Sequence, residues 1–279
     1  MGSVWVVMPS KRPPEEAEKC LSVWREMGYR VALWRDDVGD TPEYDKYWRP
    51  GVGSCCDMIL GPNPGLEWDE TTWFRSQYGA YPGYARAVNE LIRQLIMIHG
   101  ILDWFVAAGD DMLPDPNKRA DQIARECSEH FMEAAPFNNG LRNIPSIAAT
   151  FGVMQPTGDR DWGDRRGPYC DFVAGSPWMG REWCQRINQG KGPLWPDYFH
   201  MGVDEELQAV AIKYGVFWQR PDLIHKHLNW GRPTDGRKMV DVSEMPDFLV
   251  KANSPAEWNK YKRIFKERSE AGFPGSEPL

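Results

Sequence analysis

Val4-Trp5-Val6-Val7-Met8-Pro9-Ser10-Lys11-Arg12-Pro13-Pro14 opens with an apolar run, a proline stop, a basic turn and a proline pair. Val4 to Met8 reads as a buried strand that ends at Pro9. Pro13 and Pro14 followed by Glu15 and Glu16 read as a helix start, because proline suits the first turn and acid suits its positive end. Ala17, Cys20, Leu21 and Trp24 continue at helical spacing, and Gly28 closes the helix. Arg30-Val31-Ala32-Leu33-Trp34 is then a second strand, ending in Arg35-Asp36-Asp37. Strand, helix, strand in this order implies a parallel α/β sheet.

Further on, Met58-Ile59-Leu60 reads as a short strand inside a Gly/Pro-rich stretch over 38–80. Tyr84 to His99 is an amphipathic helix, Ile101 to Ala107 a buried strand, and Asn117 to Met132 a second amphipathic helix. Ile144 to Met154 reads as a strand, Trp178 to Ile187 and Asp204 to Tyr214 as helices, and Val216 to Gln219 as a strand. Ser254-Pro255-Ala256-Glu257 is a capping box that starts a last helix. No internal repeat or linker appears, so residues 1–271 are expected to form one domain, followed by a flexible tail over 272–279.

The 279 residues are 42% hydrophobic and 26% charged, which excludes wholesale disorder or a fibre. The net charge of −7 argues against a whole-surface polyanion binder and leaves room for a local basic groove. Aromatic residues make up 13% and Trp alone numbers 14, which fits either a Trp-rich core or a cleft that stacks sugar rings or bases. The six cysteines, Cys20, Cys55, Cys56, Cys127, Cys170 and Cys184, show no C-x-x-C spacing and no disulfide framework. No signal peptide or myristoylation pattern stands at the N-terminus, and Leu91 to Ala108 is broken by Arg93, Gln94, His99, Gly100 and Asp103. A cytoplasmic setting without a membrane partner is expected.

Four pieces carry chemistry. Asp103-Trp104-Phe105-Val106-Ala107-Ala108-Gly109-Asp110-Asp111 delivers two carboxylates at the C-terminal end of a buried strand, where open α/β sheets bind ligands. Adjacent carboxylates repel unless a cation or a shared proton sits with them, so the pair reads as a metal site or as a solvated acidic turn. His225-Lys226-His227 places two imidazoles on one side of an extended segment, suited to manganese or simply surface-exposed. Asp204-Glu205-Glu206-Leu207 stands at a helix start, whose dipole should keep the carboxylates ionised for a general base or for plain capping. Pro9-Ser10-Lys11-Arg12-Pro13 is a basic turn at a strand end, fit to face a diphosphate or only solvent. No G-x-G-x-x-G follows the first strand and no G-x-x-x-x-G-K-[ST] occurs, so a dinucleotide or P-loop site is disfavoured.

In this order the pieces resemble the GT-A glycosyltransferase superfamily over about residues 4 to 230. The resemblance implies an α/β GT-A fold: a Rossmann-like nucleotide-binding half with a mixed, mainly parallel sheet flanked by helices. It puts the donor half at about 1–115 and the acceptor half at about 116–271. It implies a nucleotide-sugar donor, a UDP-sugar by preference, contacted by Pro9, Ser10, Lys11, Arg12, Arg86, Asn89 and Asp110, with Asp36 or Asp37 facing the nucleobase. Manganese or magnesium would be held by Asp111 with His225 or His227. Asp204, Leu207 and Gly215 look like the acceptor-side motif, which makes Asp204 the base of an inverting transfer. Val203 departs from the acid often found there, and Asp110-Asp111 is not a strict Asp-x-Asp.

The chain is also similar to compact, Trp-rich glycosyltransferases of phages, some of which act on hydroxymethylated pyrimidines in DNA. On that likeness Trp162, Arg165 and Arg166, with Arg160, would hold phosphates and stack a flipped base, joined at the acceptor by Trp178 and Glu205. The same loop, with Asp159, Asp161 and Asp164 interleaved, also reads as a self-paired lid. The rival classes are a nucleotidyltransferase of related fold, which would release pyrophosphate, and a non-catalytic sugar- or base-binding module.

Overall fold

The computed structural model describes residues 3–12, 14–35, 55–61, 73–75, 81–99, 104–134, 145–158, 175–228, 250 and 254–279. The first strand, β1 (Val4–Ser10), is apolar because it is enclosed on both sides, and Val6, Val7 and Met8 have no exposed surface. It runs two residues past the expected stop, to Ser10. Helix α1 (Pro14–Glu26) starts on Pro14 with Glu15 and Glu16 in its first turn and carries Arg25 in its last. Gly28, at φ 89°, then reverses the chain into β2 (Arg30–Arg35), a conformation that side-chain-bearing residues adopt at a cost.

Next come β3 (Met58–Gly61), β4 (Trp73–Arg75), α2 (Tyr84–His99), β5 (Trp104–Ala107), β6 (Met112–Leu113) and α3 (Ala120–Ala134). The second half holds α4 (Pro145–Ala148), β7 (Val153–Pro156), β8 (Trp178–Gly180), α5 (Arg181–Arg186), α6 (Val203–Lys213), β9 (Phe217–Arg220), β10 (Lys226–His227) and α7 (Pro255–Glu270). The main sheet has the order β4-β3-β2-β1-β5-β8-β7-β9, and β6 pairs with β10 in a separate ribbon. From β4 to β5 every pairing is parallel. The strand β8 is antiparallel to both of its neighbours, and β9 is again parallel to β7. This is a mixed, mainly parallel α/β sheet flanked by helices, with a Rossmann-like first half.

Two expected elements differ. The stretch 144–154 is not one strand: Pro145 occupies a first helical position and starts α4, and β7 begins only at Val153. Trp178 to Ile187 is not one helix: its first three residues are β8, wedged between β5 and β7, and the helix starts at Arg181. Gly180 permits this, because a Cβ there would stand 2.0 Å from the Thr150 carbonyl oxygen. A short apolar run cannot be split between strand and helix by periodicity alone.

Among the described residues, six tryptophans go to the core. Trp5, Trp24, Trp34, Trp104, Trp178 and Trp183 are all fully buried. Helix α7 reaches the body through Arg268, whose guanidinium forks onto the buried Glu206 at 2.7 to 2.9 Å and lies 3.4 Å from the centre of the Trp195 ring. Among the described residues no helix is long and apolar enough to cross a membrane.

The tail expected to be flexible is held. Phe273 is buried, and the Asn188, Gln189 and Leu279 amides donate to Ser276, Glu277 and Arg186 carbonyls at 3.4, 2.9 and 2.9 Å. Removing residues 272–279 deletes the buried Phe273 side chain, worth about 2 kcal/mol, so the melting temperature should fall by about 5 °C. An unchanged melting curve contradicts the docking.

Candidate functional site

The register of β1 and β5 builds the site. Val7 pairs with Ala107 in a parallel ladder, and the Ala108 amide donates to the Val7 carbonyl at 3.1 Å. Both strands therefore release their chains at the same edge: Ser10-Lys11-Arg12 from one, Gly109-Asp110-Asp111 from the other. The two turns lock together. Ser10 Oγ donates to Asp110 Oδ2 at 2.5 Å and accepts from the Arg12 amide at 3.2 Å, and Arg12 Nε lies 2.9 Å from Asp110 Oδ1.

The next two residues carry the turn into β6. The Met112 carbonyl accepts from Trp24 Nε1 at 2.8 Å and Cys20 Sγ at 3.0 Å, which pins the turn to α1. Antiparallel pairing of β6 with β10 sets His227 opposite Met112, and the Leu228 amide donates to the Asp111 carbonyl at 2.7 Å. His227 Nε2 thereby comes within 3.3 Å of Asp111 Oδ2. A Cβ at position 109 would stand 2.6 Å from Asp111 Oδ1, so a glycine before the acidic pair leaves room for that carboxylate.

The two carboxylates are not equivalent. Burial pushes the Asp110 carboxyl above the usual range, against the opposing charge of Arg12 and the Ser10 hydrogen bond. Burial acts the same way on Asp111, but the His227 hydrogen bond and the charge of Arg12 outweigh it and hold the group below the usual range. The two carboxyls of the pair are thus shifted in opposite directions.

The residues expected on the acceptor side enter through α6. Asp204 sits in the first turn of α6, behind Gly202 at φ 87°. The helix dipole does not keep it ionised as expected: burial, with the charge of Glu205, pushes it up to about 8. Tyr84 lies in the fields of both Asp204 and Asp111, and burial with these charges raises its hydroxyl well above the usual range. That hydroxyl donates to the Ala108 carbonyl at 3.4 Å, just ahead of the acidic turn. His200 presents its ring edge-on to Tyr84 at 6.2 Å, and loss of solvent lowers its pKa while the Asp111 charge opposes.

The structure therefore brings together Ser10, Arg12, Asp110, Asp111 and His227, and links Asp204 to them only through Tyr84, which senses both Asp204 and Asp111. Pro9, the next-to-last residue of β1, is half-buried, and Lys11 is exposed on the turn. Glu205 is half-buried and accepts from the Tyr261 hydroxyl at 3.4 Å. Tyr84 and His200 escaped sequence reading: a tyrosine opening an amphipathic helix looks like packing, and a lone histidine in a loop has no pattern around it.

Three expectations are corrected. Asn89 is buried, and its amide is spent on the Leu194 carbonyl and amide and the Lys191 carbonyl, tying α2 to the 191–194 loop rather than facing a donor. His225 is buried against Trp24 with Nδ1 2.8 Å from Ser176 Oγ, so the i, i+2 pair splits: one ring packs the core and only His227 meets Asp111. Trp178 has no exposed surface in β8 and cannot present its ring to an acceptor. Arg86 is exposed and donates to the Pro196 carbonyl at 2.9 Å, with Asp197 at 3.8 Å. Asp36, Asp37, Arg160, Trp162, Arg165 and Arg166 lie outside the described residues.

Metal chemistry fits this donor set in part. Among the described residues no group of three or more His, Cys, Asp or Glu side chains is placed to hold an ion. A carboxylate beside an imidazole suits a cation that completes its shell with water and substrate phosphate oxygens, as magnesium- and manganese-dependent sites do.

No protein-family model matches the chain, and no curated protein matches it. Among solved structures it is similar to a glycosyltransferase involved in the glycosylation of the major capsid of PBCV-1, at 9% identity and a TM-score of 0.29. The match covers 65% of this chain and 61% of the other, so the chain spans less than two thirds of that neighbour's length. A likeness at that level says nothing of chemistry.

The position of Asp204 has a measurable consequence. Its folded-state pKa of about 8 lies above the ordinary 3.8, so its contribution to stability is complete below pH 4 and is lost as pH rises through 8. Asp204→Asn removes that loss, and the melting temperature of the variant should overtake the wild type increasingly from pH 5 to pH 9. A constant difference across that range contradicts the upward shift of Asp204.

Proposed function

We propose that this protein is a glycosyltransferase that moves a sugar from a nucleotide-sugar to an acceptor hydroxyl. The observation that carries the reading is the locked pair of turns at the carboxyl edge of β1 and β5, with His227 against Asp111. A carboxylate edge with an adjoining cationic turn is a place for a diphosphate and its counter-cation.

Asp111 and His227 are the residues that would hold manganese or magnesium. When bound, that ion supplies positive charge to offset the charge developing on the leaving nucleoside diphosphate. The basic turn over residues 9–12 borders the donor. Asp204 accepts the proton of the acceptor hydroxyl: a carboxyl tuned toward neutrality is a stronger base, once ionised, than one at the ordinary value. Displacement in one step would invert the anomeric centre. A UDP-sugar is the donor we favour, and Tyr84 senses the charges of both Asp204 and Asp111. Glu205, one residue along the same helix turn as Asp204, is the described residue that keeps an acceptor role. A DNA acceptor draws on residues 160–166, and nothing among the described residues adds to it.

Turnover tests this directly. The full chain, incubated with a panel of nucleotide-sugars and manganese, should release nucleoside diphosphate. Asp111→Asn should cut the rate by about a hundredfold or more. Asp204→Asn should retain nucleotide binding and lose transfer, and the wild-type rate should climb as pH passes 8. Release of pyrophosphate from a nucleoside triphosphate and sugar phosphate points to a nucleotidyltransferase instead. Binding of nucleotide-sugar with no product after long incubation points to a binding module.

A further inference from the structure

We infer that Asp110 is a positioning residue: it aims the Arg12 guanidinium at the donor's diphosphate and makes no contact with the donor itself. This rests on the nucleotide-sugar reading above and divides the acidic pair into one ion-facing and one chain-facing carboxylate.

Each Asp110 oxygen already has a partner from the chain. Oδ2 accepts from Ser10 Oγ and Oδ1 lies against Arg12 Nε, so the carboxylate turns back onto the β1 turn. The Arg12 amide donates in turn to the same Ser10 hydroxyl, which closes a ring of backbone, hydroxyl, carboxylate and guanidinium. Asp110 engages the guanidinium through Nε, the nitrogen nearest the side-chain stem. Among the described residues the outer nitrogen Nη1 comes only within 3.7 Å of Glu16 Oε2, and Glu16 is largely exposed. The outer end of the fork therefore stays free to form the paired hydrogen bonds with phosphate oxygens that guanidinium geometry favours.

The location is right for that task. Arg12 senses the charge of Asp111 as well as that of Asp110, so its own charge stands beside the carboxylate that faces the cation. Arg12 is only half-buried, with 27% of its side chain exposed, which leaves an approach for a ligand. Without Asp110 a long, rotamer-rich side chain would have to be ordered at the moment of binding, at a cost in affinity. With it the charge is held in place beforehand, and the backbone of the turn is fixed along with it.

The test separates aiming from contact by using a ligand without a sugar. Titration calorimetry of the full chain with inorganic pyrophosphate, and separately with UDP, is run in the presence of manganese. Asp110→Asn and Arg12→Ala should each weaken pyrophosphate by about tenfold. The double variant should be no weaker than either single one, because both act through one guanidinium. Arg12→Lys keeps the charge and loses the fork, and Ser10→Ala loosens the ring; both should also weaken pyrophosphate. These two keep the test open where Asp110→Asn fails to fold.

If Asp110→Asn leaves pyrophosphate untouched and weakens only UDP, the carboxylate contacts the nucleoside and the inference is overturned. Losses that multiply in the double variant overturn it as well. Failure of the wild type to bind UDP with manganese defeats the nucleotide-sugar reading and this inference together. Intact wild-type binding with no effect of the variants on pyrophosphate defeats this inference alone.

Discussion

Parallel pairing of β1 with β5 is the constraint on which the rest depends. Because Val7 faces Ala107, both chains leave the sheet at one edge, and the Ser10 and Asp110 side chains meet across 100 residues of sequence. A shift of one residue would turn the side chains of β5 to the opposite face and break the Ser10 to Asp110 contact. Burial makes the register robust, since Val4 to Met8 and Trp104 to Ala107 are all enclosed. Everything chemical is then added by short elements: the β6 and β10 ribbon brings His227, and the start of α6 brings Asp204.

Charge in this edge is managed by pairing rather than by exposure. Two adjacent carboxylates in a crowded turn cannot both ionise freely. Arg12 and Ser10 serve one and His227 serves the other, so the pair splits into groups with opposite shifts. Asp204, which has no cationic partner among the described residues, is pushed up to about 8 by burial and the charge of Glu205. Such divergence among neighbouring carboxyls marks places where protons and cations are handled, though structural ion pairs shift pKa values too. Glu206, two residues along the same helix from Asp204, is used structurally: it accepts from Arg268 and from the Tyr198 hydroxyl and anchors α7.

Much of the first half was legible in the sequence because its signals are local. Pro14 with two acids starts α1, Gly28 ends its turn, and the apolar period of Tyr84 to His99 gives α2 its observed bounds. Legibility fails where the deciding contact is distant. Nothing near Trp178 says that three residues will fill a slot between β5 and β7, or that Gly180 must press on Thr150. The histidine pair was readable as a pair but not as a division of labour, because His225 is claimed by Ser176 and Trp24 from other parts of the chain. Asn89 was misread for the same reason: its partners at 191–194 lie about 100 residues on. The docked tail shows that a Gly/Pro-rich ending is compatible with order when backbone partners wait for it.

The central claim is that Asp111 and His227 hold a cation against a nucleoside diphosphate at the edge of β1 and β5. Anomalous scattering from crystals grown with manganese and UDP locates the ion without reference to activity. The account predicts one strong peak within bonding distance of Asp111 and His227, with the diphosphate between it and Arg12. A peak elsewhere on the protein, or nucleotide bound away from this edge, contradicts it.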